Sequence, residues 1–246
     1  MSDQPIRRGA PREERRFDQT QLKAGKFGYR VHRDYAAHFF KWGFATRLIG
    51  HTDRVLEVGC GQDLPLINVL AMGPRYTPAS YLGVDLNNLT GHCPPWARTI
   101  GKFNFVDDYM ELAIEDAYTV GVCIEVIEHM SVEDGRKLLK GFHTLLTDDG
   151  KLLLSTPVFN GRAANNHIHE YTIPELQALI EECGFTVEER FGTFASYRDL
   201  IKVITPEHRQ VLDGIRGFYS EEVTACFLAP LYPDHSRNNV WVLKNS

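Results

Sequence analysis

Val55-Leu56-Glu57-Val58-Gly59-Cys60-Gly61-Gln62-Asp63 is the stretch on which the fold turns. A short apolar run ends in two glycines one residue apart, and Pro65-Leu66-Ile67-Asn68-Val69-Leu70 then reads as a helix closed by Gly73. Strand, glycine turn and helix open a βαβ unit, in which backbone N–H groups approach a polar ligand beyond the carboxyl end of the strand. Asp63 is expected to cap the helix that Pro65 opens. Further apolar runs follow at residues 81–86, 103–106, 120–126 and 151–155. Between them, Ser131 with Asp134 signals a helix whose Leu138, Phe142 and Leu145 share one face until the Asp149-Gly150 turn. Thr172 with Glu175 signals another, with Leu176, Leu179, Ile180 and Cys183 on one face and Gly184 at its end. Strands alternating with helices imply an α/β fold, a mostly parallel sheet covered on both faces in a three-layer α/β/α sandwich.

Outward from this core, residues 1–25 are charged and rich in Pro and Gly, and read as a flexible N-terminal tail. Its arginines (Arg7, Arg8, Arg12, Arg15, Arg16) suit a solvated tail or, alternatively, a nucleic-acid arm. Residues 26–50 read as a helical cover, because Tyr35, Phe39 and Trp42 fall on one helical face. The main domain is expected over 51–246. Within it, strands at 185–191 and 240–243 are separated by a long insert, a helical arm at about 193–239, placed to shape a substrate pocket.

The bulk composition excludes several classes. Over 246 residues, 43% apolar and 24% charged residues are ordinary globular values. With 27 basic against 32 acidic residues the net charge is −5, so no overall basic field draws the chain to nucleic acid or anionic lipid. The five cysteines form no CxxC pair and read as reduced, mostly buried thiols. No signal-peptide pattern and no 18-residue apolar window occur, so a cytoplasmic location without membrane association is expected.

The chemistry concentrates at strand ends. Gly59 and Gly61 permit close backbone approach, and Asp85, 24 residues after Gly61, is placed to accept hydrogen bonds from ribose hydroxyls. A dinucleotide fingerprint would require glycine where Leu64 stands. A pyrophosphate there would also sit beside Asp63, so a cofactor without phosphate fits better.

Taken in order, VLEVGCG (55–61), YLGVDL (81–86), FNFVDDY (103–109), VGVCIEVIEHM (120–130) and LTDDGKLLLSTP (146–157) resemble the class I S-adenosylmethionine-dependent methyltransferases. The resemblance covers residues 50–192 and the last strand, and implies a Rossmann-like seven-stranded sheet with S-adenosyl-L-methionine as cofactor. By it, Glu57, Gly59, Cys60 and Gly61 would line the methionine portion. Asp85 would hold the ribose, Leu86 would pack on adenine, Asp107 or Asp108 would reach the adenine amino group, and Glu125 would border the methyl end. The chain departs from the family pattern at Asp63, Val106 and Thr119.

The Glu125-x-x-Glu128-His129 segment resembles both ubiquinone-pathway O-methyltransferases and small-RNA 2′-O-methyltransferases. In the latter such residues hold a divalent ion with one histidine from a later loop, for which His167 and His169 are the candidates. A Mg²⁺ or Mn²⁺ ion held by Glu125, Glu128, His129 and His167 would acidify an acceptor hydroxyl. Without metal, His129 would act as general base, with Glu128 as its catalytic partner. The leading expectation is O-methylation of a small or medium-sized acceptor. The alternatives are an RNA or modified-nucleotide methyltransferase, a nucleotide-binding oxidoreductase, and a non-catalytic cofactor-binding protein.

Overall fold

The computed structural model describes residues 33–113 and 117–246, so the tail expected at 1–25 lies outside the described residues. The elements run α1 (Arg33–Leu48), β1 (Arg54–Val58), α2 (Pro65–Ala71), β2 (Ser80–Val84), β3 (Ala97–Ile100), α3 (Phe105–Asp108), β4 (Tyr118–Ile124), α4 (Val132–Leu145), β5 (Leu146–Pro157), α5 (Ile173–Glu182), β6 (Phe185–Phe194), α6 (Tyr197–Leu200), α7 (Pro206–Ile215), α8 (Glu221–Leu228) and β7 (Asn238–Asn245). Seven strands form one sheet in the order β3-β2-β1-β4-β5-β7-β6. The pairings of β1, β2, β3, β4 and β5 are parallel, while β7 runs antiparallel to both β5 and β6.

Strand alternation builds two cores. On β1, β4, β5 and β7, Leu56, Val58, Cys123, Leu152, Leu154, Trp241 and Leu243 point to one face, where Leu138, Leu139 and Phe142 of α4 and Leu176 and Ile180 of α5 cover them. Val55, Val122, Leu153, Val240 and Val242 point to the other, under Leu66, Ile67 and Leu70 of α2 and Trp42 and Ala45 of α1. The two caps read from the sequence form: the Ser131 hydroxyl accepts from Asp134 N–H, and Thr172 with Glu175 makes a full capping box.

Three local expectations are corrected. The run at 103–106 is not a strand; β3 lies earlier, at Ala97–Ile100, and Phe105–Asp108 is helical. As the edge strand, β3 is only half-buried and carries no apolar run. Phe103 and Phe105 are buried for another reason: Phe105 stacks on Phe142 at 5.1 Å. Asp63 does not cap α2. The N-cap position is Leu64, in a left-handed conformation (φ 53°), which drives its side chain fully into the core. In the cover helix, Trp42 is buried but Phe39 is half exposed, because the helix packs through Trp42, Ala45 and Phe44 instead.

The arm between β6 and β7 carries α6, α7 and α8 around a small core of its own: Leu200, Leu212, Ala225 and Leu228. It returns to the body where Phe227 of α8 meets Phe40 of α1 at 5.4 Å. Among the described residues no helix is long and apolar enough to cross a membrane.

Phe142 is fully buried between the sheet and Phe105. Phe142→Ala should lower unfolding free energy by about 3–5 kcal/mol, read from urea denaturation monitored by circular dichroism.

Candidate active site

β1 lies between β2 and β4, so the turn after β1 touches the segments that follow both neighbours. Gly59 (φ 79°) donates its N–H to Val84 O at 2.8 Å. A Cβ on Gly59 would stand 2.2 Å from Val126 Cγ2, a separation no side chain can tolerate. Gly61 (φ 73°) donates its N–H to Asp85 Oδ2 at 2.9 Å. Asp85 Oδ1 accepts from Asn87 N and Nδ2 at 2.8 and 2.9 Å. The Asp85 carboxylate is thereby held at the carboxyl end of β2.

A cavity of about 200 Å³ opens at this edge, with Gly59, Asp85, Leu86, Asn104, Glu125 and His129 in its wall. Not every residue expected there reaches it. Glu57 and Cys60 are buried behind the turn rather than in the cavity wall. Burial raises the Glu57 carboxyl to about 7 against the opposing hydrogen bond from Tyr81 Oη. Gly61 also lies outside the cavity wall and acts through Asp85. Asp107 and Asp108 are exposed on α3 and lie outside this cavity wall, where Phe103, Asn104, Phe105 and Val106 stand; Asp107 accepts a hydrogen bond from Asn104 Nδ2.

The Glu-x-x-Glu-His segment follows β4 directly, and its two carboxylates have different surroundings. Glu125 adopts a left-handed backbone (φ 56°). Its Oε1 meets Lys41 Nζ at 2.8 Å and accepts from Ser155 Oγ at 2.7 Å, while Oε2 accepts from Asn238 Nδ2 at 2.7 Å. Burial opposes ionisation, but Lys41 and the Ser155 hydroxyl hold Glu125 down at about 2. Glu128 is fully buried, and among the described residues no lysine or arginine pairs with it. Burial first, and the nearby Glu125 charge second, push its carboxyl well above the ordinary range. Glu128 Oε2 accepts from Thr156 Oγ1 at 3.1 Å, and Oε1 has no hydrogen-bond partner among the described residues.

The loop after β5 docks on this segment: Ile168 and His169 donate N–H groups to Glu128 O at 2.8 and 3.1 Å. His129 Nδ1 lies 3.0 Å from Asn166 O, so it carries the proton, and Nε2 faces Glu128 Oε1 at 3.9 Å. His167 Nδ1 is committed to Glu170 Oε1 at 2.6 Å. Glu170 is buried under Arg237, whose Nη2 reaches both carboxylate oxygens at 2.7 Å. Burial opposes the Glu170 charge, yet His167 and Arg237 lower it to about 2. Glu128, His129 and His167 thus offer ligand atoms within 4.8 Å of one another. Glu125 is not in that group, which corrects its expected metal role, since Lys41 already claims it. His169 turns away to Glu175 at 2.8 Å.

Lys41, Asn87, Asn104, Asn238 and the Glu170–Arg237 pair escaped the sequence reading. Only Lys41 left a signal, a lone base within Phe39-Phe40-Lys41-Trp42.

A family model described as a methyltransferase domain matches residues 32–190. The chain belongs to the methyltransferase-domain family. With that, the oxidoreductase and non-catalytic alternatives give way to an S-adenosylmethionine-dependent methyltransferase. Solved structures agree on the fold of this methyltransferase. An S-adenosylmethionine-dependent methyltransferase from Archaeoglobus fulgidus is similar at TM-score 0.58 and 16% identity, over 92% of this chain and 100% of the other. A Burkholderia thailandensis 1,6-didemethyltoxoflavin-N1-methyltransferase, solved with S-adenosylhomocysteine, is similar at TM-score 0.53 and 17% identity, over 91% and 84%. The small-RNA methyltransferase HEN1 is similar at TM-score 0.56 and 15% identity, over 84% of this chain and 25% of that one. No curated protein sequence matches the chain.

Two outcomes test this site. Gly59→Ala should weaken S-adenosylhomocysteine binding at least about tenfold in calorimetry, because the turn must move away from Val126. Glu57 has a raised native pKa, so its contribution to stability is present below about 4.5 and is lost as pH rises through about 7. Glu57→Gln keeps the Tyr81 contact without the charge. It should therefore become more stable relative to the parent at pH 8 than at pH 5, by about 1–3 kcal/mol in urea titrations.

Proposed function

We propose that this methyltransferase transfers the methyl group to an oxygen of a small or medium-sized acceptor, and that Glu128 and His129 manage the acceptor's proton. The observation that carries the reading is the Glu128–His129–His167 cluster, whose buried Oε1 has no hydrogen-bond partner among the described residues. A hydroxyl is a poor nucleophile until it loses its proton, and a base of near-neutral pKa within hydrogen-bond reach is what that step requires. His129 is part exposed beside the cavity, with its tautomer set by Asn166 O. The acidic net charge and the joining of α1 to the arm support a small acceptor rather than a polynucleotide.

The cofactor residues fit the same scheme. A turn that leaves no room for a Cβ at Gly59, a fixed Asp85 carboxylate and the apolar Leu86 suit a nucleoside without phosphate. Bound S-adenosylmethionine supplies an electrophilic methyl on a sulfonium sulfur. Gly59 and Glu125 would border its methionine end, Asp85 the ribose, and Leu86 with Asn104 the adenine. Glu57, Cys60 and Gly61 would support the turn from behind. His129 Nε2 would receive the acceptor's proton, with its ring held by Asn166 O and Glu128 Oε1 3.9 Å away.

A second reading, favoured by the same Oε1, is a divalent ion, Mg²⁺ or Mn²⁺. Glu128, His129 and His167 would hold it, and their Nδ1 hydrogen bonds are the outer contacts that usually orient ligating imidazoles. Such an ion would lower the pKa of the acceptor hydroxyl.

Turnover of a panel of phenols, sugars and short RNAs with methyl-labelled cofactor tests the acceptor class; label appearing on oligonucleotide alone would overturn the small-acceptor reading. His129→Ala should cut kcat by about 10²–10⁴ while leaving S-adenosylhomocysteine affinity within about twofold. Full activity after exhaustive EDTA treatment would dispose of the ion.

A further inference from the structure

Lys41 is a charged group on the inner face of a covering helix, and only 1% of its side chain is exposed. An ammonium removed from water to that degree is strongly unfavourable unless an opposite charge meets it. Glu125 does so at 2.8 Å. The carboxylate does not need Lys41 for its hydrogen bonds, since Ser155 on β5 and Asn238 on β7 already donate to its two oxygens. Those donors are neutral. What Lys41 alone adds is a full positive charge.

The balance matters because Glu125 is in the wall of the cavity with Asp85. The other base on that side is His38 of α1, which burial and the adjacent Lys41 lower to about 4, leaving it uncharged at neutral pH. Among the described residues of α1, Lys41 is therefore the cation set against Glu125.

We propose that Lys41 is a positioning residue that sets the charge of the cofactor cleft: by cancelling Glu125, it stops the wall from favouring a sulfonium over the neutral thioether left after transfer. The inference rests on the S-adenosylmethionine reading of the cleft. In the transfer, the carbon–sulfur bond breaks with its electron pair staying on sulfur. A carbon–oxygen bond forms to the acceptor, whose proton passes to His129. The positive charge on sulfur is thus lost along the reaction. An uncancelled carboxylate would hold the charged reactant more tightly than the transition state, lowering KM at the expense of kcat.

The test compares S-adenosylmethionine with S-adenosylhomocysteine as calorimetric ligands, because they differ at the sulfur by one methyl and one charge. Lys41→Met should shift the affinity ratio about tenfold toward S-adenosylmethionine, equal to about 1.4 kcal/mol. Glu125→Gln, which leaves Lys41 uncompensated, should shift it by a similar factor the other way, and gives the answer if Lys41→Met does not fold. The double variant should return the ratio to that of the parent, an outcome that mere loosening of α1 would not produce. If the parent binds both ligands and neither single variant moves the ratio, the assignment of Lys41 is overturned. If the parent binds neither ligand, the cofactor reading itself is overturned and this inference with it.

Discussion

Backbone contact between Gly59 and the Val126 side chain sets the geometry of the whole site. The space that a Cβ would need at Gly59 is occupied by Val126 Cγ2. The turn after β1 and the segment after β4 therefore lie directly against each other. Because β1 sits between β2 and β4, the same turn also reaches Asp85 through the Gly61 N–H. These two contacts of one short turn bring the Asp85 carboxylate, the glycine loop and the Glu-x-x-Glu-His segment to one edge of the sheet.

At that edge two glutamates three residues apart are driven to opposite protonation preferences. Glu125 faces a lysine and two neutral donors from three separate elements, and stays ionised. Glu128, turned inward beside Thr156, pairs with no lysine or arginine among the described residues and favours its proton. Environments that separate the pKa values of neighbouring acids are how a fold assigns them different tasks. The histidine loop completes the arrangement. Its N–H groups fasten to Glu128 O, and the Glu170–Arg237 pair fixes the ring of His167.

The pieces that complete the site come from outside the strand–helix repeat. Lys41 arrives on the covering helix, and Asn238 with Arg237 at the point where the arm rejoins the sheet. Ala37, Phe194 and Cys226 form a small apolar junction where cover, β6 and arm meet.

Most signals in which a residue acts on its own backbone read correctly, the Asp63 cap being the exception. The glycine turn, the Ser131 and Thr172 caps and the alternation of strands with helices all follow from short-range sterics and hydrogen bonding, so the sheet was legible in the sequence. Where a residue's role depends on burial by distant segments, local reading failed. Phe103 and Phe105 mimic a strand because they cover a core, while the true edge strand Ala97–Ile100 has too little buried surface to show an apolar pattern. Asp107 and Asp108 were placed at a strand end that does not exist. The division between Glu125 and Glu128, and the part of Lys41 in it, required the tertiary structure. A carboxylate's charge state is set by whatever cation or void the folded chain places against it, and those neighbours lie 84 residues away in sequence for Lys41 and 113 for Asn238.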